Sequence, residues 1–311
     1  MLGCFALFCC GEDKQPSKPK AYWRGVNSST GLSINLVHDV MIASDGKLWA
    51  AFYEGVVGRL DGGAWTMLDP LPDNNEGRPY ELFEDRDGNI WVTVYHDGKT
   101  YASKFDGASW KPYYITNNRV TAITQMPDGN IFFASDGGGY FLDGETITKF
   151  DCGGLCYRMY SAVVDNDGVL WIGKDRNGII KMDGSTATEL NIPLEGDDRF
   201  GSEVADLVQG SSGDIIASLS PGTAWRFRDG KWQRIVTDTS YPAGPAEATL
   251  EDSKGRVWIG TQDKGVVLVD GKDLITYTLN NKKNNITAIV EDANGEVFLG
   301  NSNGLWQYGT Y

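Results

Sequence analysis

The stretch NNITAIVEDANGEVFLGNSNGLW, residues 284–306, contains the pattern that decides the fold. A turn of the form Asp-x-x-Gly separates two short apolar segments, at 286–290 and 297–299. Short runs rich in β-branched residues on either side of such a turn are typical of a β-hairpin. The sequences NRVTAITQMPDGNIFFASDGGGYF (118–141) and NLVHDVMIASDGKLWAAF (35–52) repeat the pattern. The chain is therefore predicted to be all-β and built from repeated hairpins.

The turn glycine recurs seven times, and successive copies lie 39 to 45 residues apart. The seven glycines are Gly46, Gly88, Gly129, Gly168, Gly213, Gly255 and Gly295. This period is typical of propeller blades and too long for leucine-rich repeats. A single seven-bladed β-propeller over residues 21–311 is therefore predicted.

A second glycine signal follows the first within each of the first six units. It is an Asp-Gly pair between apolar runs, at Gly62, Gly107, Gly144, Gly184, Gly230 and Gly271. Asp-Gly favours a tight hairpin, because glycine readily adopts the positive φ that the turn requires. Each unit should thus contain four antiparallel strands. The seventh unit lacks a fourth strand before Tyr311, and we predict that residues 21–26, around Trp23, supply it and close the ring.

Composition excludes several classes of function. Lys and Arg total 28 against 42 Asp and Glu, a net charge of −14, which disfavours nucleic acid as a partner. No apolar run reaches the roughly 18 residues that a membrane-spanning helix needs. The only histidines are His38 and His96, which leaves little basis for zinc or His-triad chemistry. We therefore predict no metal and no cofactor.

The first ten residues, MLGCFALFCC, are almost wholly apolar and precede the polar segment GEDKQPSKPK. They resemble the end of a bacterial lipoprotein signal, with Leu7 before a cysteine that would be lipidated at Cys10. The alternative is a loosely packed apolar terminus. Residues 1–20 are accordingly predicted to be a signal remnant and tether, and the only membrane contact would be through the lipid anchor. The resemblance implies a location in the bacterial cell envelope, periplasmic or on the outer-membrane surface.

Three features of residues 21–311 have structural interpretations. Cys152 and Cys156 form a C-x3-C pair, which is compatible with a loop disulfide after export or with two free thiols. The segments at Asp85 and Asp165 imitate the start of a calcium loop but lack its distal glutamate, so turn chemistry explains them. Four tryptophans share one repeat position and are predicted to pack between blades: Trp49, Trp91, Trp171 and Trp258.

The repeats at 284–306, 118–141 and 35–52 resemble the two-component regulator propeller repeat. In that family, propellers form the periplasmic sensors of hybrid histidine kinases, commonly in bacteria that sense glycans. The resemblance extends over nearly all of 35–306. It implies a sensor-type binding propeller, here expected to stand alone as a lipoprotein.

The candidate binding site lies where the connections vary in length, because free loops can build sites. The residue ten positions before each turn glycine should stand at the channel mouth, and in three successive units it is an arginine: Arg78, Arg119 and Arg158. Guanidinium groups bind carboxylates or sulfates through paired donors. His38, Tyr80 and Tyr160, eight positions before the glycine, would add hydrogen-bonding and stacking surfaces. The alternative is that these arginines pair with Asp39, Glu81 or Glu203 and hold loops.

Three functions are compatible with these observations. The first is a non-catalytic exported propeller that binds a small molecule, an anionic glycan fragment or a protein partner. The second is a lyase that resembles virginiamycin B lyase, in which His38 or His96 would have to be the acid. The third is a structural module of a surface complex.

Overall fold

The computed structural model describes residues 21–26, 36–71, 77–152, 154–155, 157–176, 178–194, 203–220, 222–235, 245–279 and 285–310. Cys10, Cys156 and residues 1–20 lie outside this part of the chain, so the predicted tether and lipid attachment stay predictions. Within the described ranges, no helix has the length and apolar character that crossing a membrane requires.

The described strands form seven four-stranded antiparallel sheets, which confirms the predicted seven-bladed propeller. Blades 1 and 2 contain β2 (Val37–Ile42), β3 (Leu48–Phe52), β4 (Val56–Asp61), β5 (Ala64–Leu68), β6 (Arg78–Glu84), β7 (Ile90–His96), β8 (Lys99–Phe105) and β9 (Trp110–Thr116). Blades 3 and 4 contain β10 (Val120–Gln125), β11 (Ile131–Ser135), β12 (Tyr140–Asp143), β13 (Thr146–Lys149), β14 (Met159–Val164), β15 (Leu170–Lys174), β16 (Gly178–Asp183) and β17 (Thr186–Asn191).

The remaining blades complete the ring. Blades 5 and 6 contain β18 (Glu203–Gln209), β19 (Ile215–Ser220), β20 (Thr223–Arg228), β21 (Lys231–Arg234), β22 (Ala246–Glu251), β23 (Val257–Thr261), β24 (Val266–Asp270) and β25 (Asp273–Tyr277). Blade 7 contains β26 (Ile286–Glu291), β27 (Val297–Asn301), β28 (Gly304–Thr310) and β1 (Ala21–Gly25).

The N-terminal strand closes the ring as predicted. β1 pairs antiparallel with β28, with Trp23 opposite Tyr308. The Trp23 ring lies 5.2 Å from that of Tyr308 and 6.0 Å from that of Trp258, so it packs into the cluster shared by blades 6 and 7. Closure joins the two ends of the described chain and pairs the third strand of blade 7, which would otherwise be an open edge.

The hydrophobic core lies between blades. The second strands β3, β11 and β23 are buried along their whole length because a neighbouring blade covers each face. Outer strands such as β5 instead alternate between exposed and half-buried residues. The four tryptophans at the shared repeat position are all buried, which confirms their predicted packing role.

Candidate functional site

The first strand of every blade contains a β-bulge at the same repeat position. A bulge places two successive residues opposite one partner residue, bends the strand and re-aims its side chains. The residues eight and seven positions before the turn glycine consequently both line the central cavity. These pairs are His38 and Asp39, Tyr80 and Glu81, Thr121 and Ala122, Tyr160 and Ser161, Ala205 and Asp206, Glu247 and Ala248, and Thr287 and Ala288.

The seven first strands surround a cavity of about 820 Å³. Among the described residues, its lining includes five carboxyl groups and one guanidinium group. The carboxyl groups belong to Asp39, Glu81, Glu203, Asp206 and Glu247, and the guanidinium to Arg119. The cavity is therefore acidic, and Arg119 is its single positive centre within the described part of the chain.

The positive charge of Arg119 faces the cavity and is not neutralised by an ion pair within the described ranges. Arg119 precedes β10, and its side chain is exposed towards the cavity. Its charge contributes to lowering the pKa of His38 and opposes the rise in the pKa of Glu81 and Glu247, which belong to three other blades. Arg119 therefore lies centrally enough to interact across the channel.

Arg78 and Arg158 lie at the rim, outside the described lining of the cavity. The Arg78 guanidinium sits 4.4 Å from the ring centroid of Tyr53, and that of Arg158 lies 5.6 Å from the ring centroid of Tyr157. Such cation–π contacts are favourable at exposed sites. The three predicted arginines are thus arranged as one central group and two rim groups on tyrosines.

His38, Tyr80 and Tyr160 all line the cavity. The His38 ring packs 4.4 Å from Tyr80 and 5.5 Å from Tyr53, measured between centroids. Burial, with the nearby charges of Arg78 and Arg119, lowers the pKa of His38 to about 4. The imidazole is therefore neutral at neutral pH. Its buried Nε2 has no hydrogen-bond partner among the described residues.

Tyr160 is paired with an acidic neighbour. Burial raises the pKa of its hydroxyl, and the charge of Glu203 and a hydrogen bond with Glu203 raise it further. The alternative that Glu203 anchors an arginine is therefore not what the structure contains; Glu203 instead contacts a tyrosine from the preceding blade. The phenol remains a neutral hydrogen-bonding group beside the cavity.

None of the five cavity carboxyl groups was selected as a binding residue from the sequence, and three of them, Asp39, Glu81 and Asp206, share one repeat position. Asp39 Oδ2 accepts a hydrogen bond from the backbone N–H of Leu82 at 2.7 Å, and Asp206 Oδ2 accepts one from that of Thr249 at 2.7 Å. Each bond links one blade to the next. Burial raises the pKa of Asp39 to about 7 and that of Asp206 to about 6. The third group, Glu81, makes no such bond.

A sequence signal for these carboxyl groups does exist. Asp39, Glu81 and Asp206 all stand seven positions before a turn glycine. A regular strand would direct positions seven and eight to opposite faces. Only the bulge places both side chains in the cavity. An expectation of strict alternation along the strand therefore selects one of the two positions and omits the other.

The opposite end of the propeller carries the repeated Asp-x-x-Gly turns. Asp85 accepts hydrogen bonds from the backbone N–H groups of Asp87 and Asn89 through Oδ1, and from Trp91 Nε1 at 2.8 Å through Oδ2. Asp165 holds Trp171 in the same way, also at 2.8 Å. Both segments are therefore turns that anchor core tryptophans. The described residues contain no group of three His, Cys, Asp or Glu side chains suited to a metal ion.

Cys152 is buried and takes part in a disulfide. Cys156, its predicted partner, lies outside the described residues. The pairing of these two cysteines thus stays a prediction.

Comparison with known proteins supports the repeat and the fold. The family model "Two component regulator propeller" matches residues 240–263. No curated protein matches the sequence. Among solved structures, a streptogramin B lyase is 17% identical, with a TM-score of 0.78, over 94% of this chain and 98% of the other.

Two further structures have the same fold. An inactive virginiamycin B lyase from Staphylococcus aureus with quinupristin is 15% identical, with a TM-score of 0.77, over 93% of this chain and 98% of the other. The extracellular domain of a putative hybrid two-component system from B. thetaiotaomicron is 18% identical, with a TM-score of 0.74, over 93% of this chain and 39% of the other. The chain is a seven-bladed β-propeller in which residues 240–263 match the two-component regulator propeller repeat.

Proposed function

We propose that this propeller is a non-catalytic binding protein of the bacterial cell envelope, and that it recognises a glycan fragment with an acidic group at the channel mouth. An envelope location is supported by the similarity to extracellular domains of two-component systems. The repeat match supports a sensor-type role. Lipid attachment at Cys10 would hold the propeller at the membrane.

The observation that carries this proposal is that the Arg119 guanidinium has no ion-pair partner among the described residues. It is the single guanidinium in the described lining of an acidic cavity, and no carboxylate in the described ranges neutralises it. A structural arginine in such a place would normally form an ion pair with one of the surrounding carboxylates. An unpaired guanidinium can instead bind a carboxylate or sulfate through two parallel hydrogen bonds.

The groups around Arg119 suit a sugar ring. Tyr80 and Tyr160 line the cavity from the blades on either side of Arg119. Tyrosine combines an apolar ring face with a hydroxyl that forms hydrogen bonds, which matches the mixed surface of a carbohydrate. His38, held neutral, adds a further polar group without competing as a cation.

The lyase alternative has less support. A general acid must be protonated at the working pH, and the pKa of His38 is lowered to about 4. His96 is the last residue of β7 and is not part of the described cavity lining. Similarity below one-fifth identity supports the shared fold without transferring a reaction.

The test is calorimetric titration of the protein with galacturonate and with galactose. The proposal expects galacturonate to bind more tightly, and Arg119→Ala to weaken that binding by about 1.5–3 kcal/mol, the range for hydrogen bonds to charged groups. Lys231→Ala, on an exposed outer strand, removes the same charge as a control. Equal binding of the two sugars, or an unchanged Arg119→Ala variant, would count against recognition of an acidic group.

The membrane part of the proposal has its own test. Mass spectrometry of the protein from native membranes should find an acylated Cys10 as the first residue. An intact Met1 or an unmodified Cys10 would remove the lipid anchor without affecting the binding proposal.

A further inference from the structure

We propose that Glu81 is an internal competitor for Arg119: protonated Glu81 leaves the guanidinium free for an anionic ligand, and ionised Glu81 neutralises it. This inference rests on the proposed function, since it describes how the anion site at Arg119 is regulated. It assigns to Glu81 a role in specificity and pH response.

The first step is that Glu81 lacks the contacts of its counterparts. Asp39 and Asp206 occupy the same bulge position, and each accepts a backbone N–H from the following blade. The equivalent donor for Glu81 would be the N–H of Ile123, and no bond between them forms. Among the described residues, no hydrogen-bond donor engages the Glu81 carboxyl. Glu81 lines the cavity, and its side chain is one methylene longer than those of Asp39 and Asp206.

The second step is the relation to Arg119. The Glu81 carboxyl and the Arg119 guanidinium come from adjacent blades, both line the cavity, and their charges interact without a direct ion pair. An ionised Glu81 would compete with a bound anion for the charge of Arg119.

The third step is the surroundings of Glu81. Asp39 on β2 and Asp206 on β18 place further acidic groups near it, and Arg119 is the positive charge that opposes them. The remaining titratable groups of the cavity are His38, Tyr80, Tyr160, Glu203 and Glu247. Desolvation, followed by the charge of Asp39, raises the pKa of Glu81 well above its usual value. The carboxyl is therefore protonated well above the pH at which an exposed glutamate ionises.

The consequence is a pH dependence with a defined sign. At low pH Glu81 is neutral, and Arg119 presents a full positive charge to the ligand. As pH rises, Glu81 ionises and competes with the ligand for that charge. Affinity for an anion should therefore fall as pH rises.

The experiment titrates the full chain with galactose 6-sulfate, whose sulfate ester stays ionised throughout, between about pH 5 and pH 8. We expect wild-type affinity to fall about fivefold or more over this range, within the usual size of linkage between two sites. Glu81→Gln, which keeps the shape but cannot ionise, should lose most of this dependence. Asp206→Asn is the comparison variant: it removes another carboxyl of the cavity whose charge raises the pKa of Glu81, so the pH dependence should move to lower pH but persist.

The outcomes separate the two proposals. The role of Glu81 is overturned if Arg119→Ala abolishes binding but Glu81→Gln keeps the wild-type dependence of affinity on pH. It is also overturned if Asp206→Asn removes that dependence instead. In both cases the anion site at Arg119 stands. If the wild-type protein does not bind the sulfated sugar at any pH, both proposals fall.

A ligand-free measurement provides an independent check. In carboxyl-labelled protein, the NMR titration midpoint of Glu81, assigned by its absence in Glu81→Gln, should rise when Arg119 is replaced by glutamine. An unchanged midpoint would mean that the two groups do not interact, which contradicts the proposal whatever the binding data.

Discussion

The two ends of the propeller differ in whether their polar side chains have hydrogen-bond partners. At the turn end, a Glu or Gln four positions before the turn glycine accepts a backbone N–H from the turn of the preceding blade. These contacts are Ser44 to Glu84, Arg86 to Gln125, Asn166 to Gln209, Ser211 to Glu251 and Ser253 to Glu291. At the mouth, Arg119 and Glu81 have no such partner among the described residues, and His38 Nε2 is buried without one.

The contacts that stabilise the fold and the groups available to a ligand therefore lie at opposite ends of the propeller. A polar group with all its bonds satisfied contributes to holding blades together, whereas an unpaired group in a cavity costs stability and is available to a ligand. At the turn end, five of the seven blades use this same contact among the described residues. The mouth varies from blade to blade, as a site that recognises an asymmetric ligand requires.

The largest expected effect is on stability at the turn end. Asp252 is 1% exposed and accepts bonds from Trp258 Nε1 at 2.8 Å and Arg256 Nε at 2.6 Å. Asp252→Ala should cost about 3 kcal/mol in unfolding free energy, because buried donors lose a charged partner. Urea denaturation measures this, with sugar binding expected to be unchanged in the folded fraction.

Asp292→Ala is the matched control for that prediction. Asp292 holds the equivalent turn of blade 7 but is only half-buried and bonds only to groups of its own turn, Asn294 and Glu296. Its replacement should cost about 1 kcal/mol, the value of a typical cap or turn bond. Equal losses at the two positions would show that the tryptophan contact adds nothing.

The second prediction ranks the three arginines of the mouth. Arg78→Ala and Arg158→Ala should weaken galacturonate binding by less than about 1 kcal/mol, because their guanidinium groups lie on Tyr53 and Tyr157 at the rim. Arg119→Ala should have the larger effect given above. Equal losses for all three, measured by calorimetry, would instead indicate a ligand that spans the whole rim.

The third prediction contrasts the two ends through pH. In the cavity, the raised pKa values of Asp39 (about 7) and Asp206 (about 6) mean that folding favours their protonated forms. The stability that they contribute is fully present below about pH 4 and is lost as pH rises towards about 7. At the turn end, burial opposes ionisation of Asp85 and Asp252, but hydrogen bonds from Trp91 and Trp258 lower their pKa. Their contribution is present above about pH 4 and is lost below it.

Unfolding free energy should therefore be highest near pH 4 to 5 and decline towards pH 7, where cavity carboxylates ionise. Urea denaturation across this range measures the decline. The double variant Asp39→Asn with Asp206→Asn keeps acceptors for the Leu82 and Thr249 N–H groups and should flatten the curve. A wild-type curve that climbs steadily to pH 7 would contradict the prediction.

The smallest effect concerns backbone strain at the rim. Arg158 has a φ of 50°, in the region that favours glycine, and its side chain is exposed. Arg158→Gly should change stability by no more than about 1 kcal/mol, in the stabilising direction, because glycine adopts this conformation without a Cβ penalty. A thermal melt measures the shift. A clear loss of stability would show that the contact with Tyr157 is structurally important.

The architecture could be predicted from the sequence, because the features that build it are local and repeated. Each turn glycine has a positive φ that its neighbours cannot easily adopt, and seven copies in register set the number of blades. Ring closure by Trp23 was also predictable, since the seventh unit is one strand short and a tryptophan-containing strand precedes the first. Buried tryptophans at one repeat position predicted the packing between blades.

Which side chains line the cavity could not be predicted from the sequence and follows from the folded chain. The bulge in each first strand directs positions seven and eight together to the axis, which adds Asp39, Glu81 and Asp206 to the site. The three arginines occupy equivalent sequence positions, yet tyrosines from nearby segments hold Arg78 and Arg158 at the rim, while Arg119 lines the cavity. The physical reason is that repeat spacing defines where a backbone lies, whereas the position of a long charged side chain depends on the groups around it, here Tyr53 of blade 1 for Arg78 and the adjacent Tyr157 for Arg158.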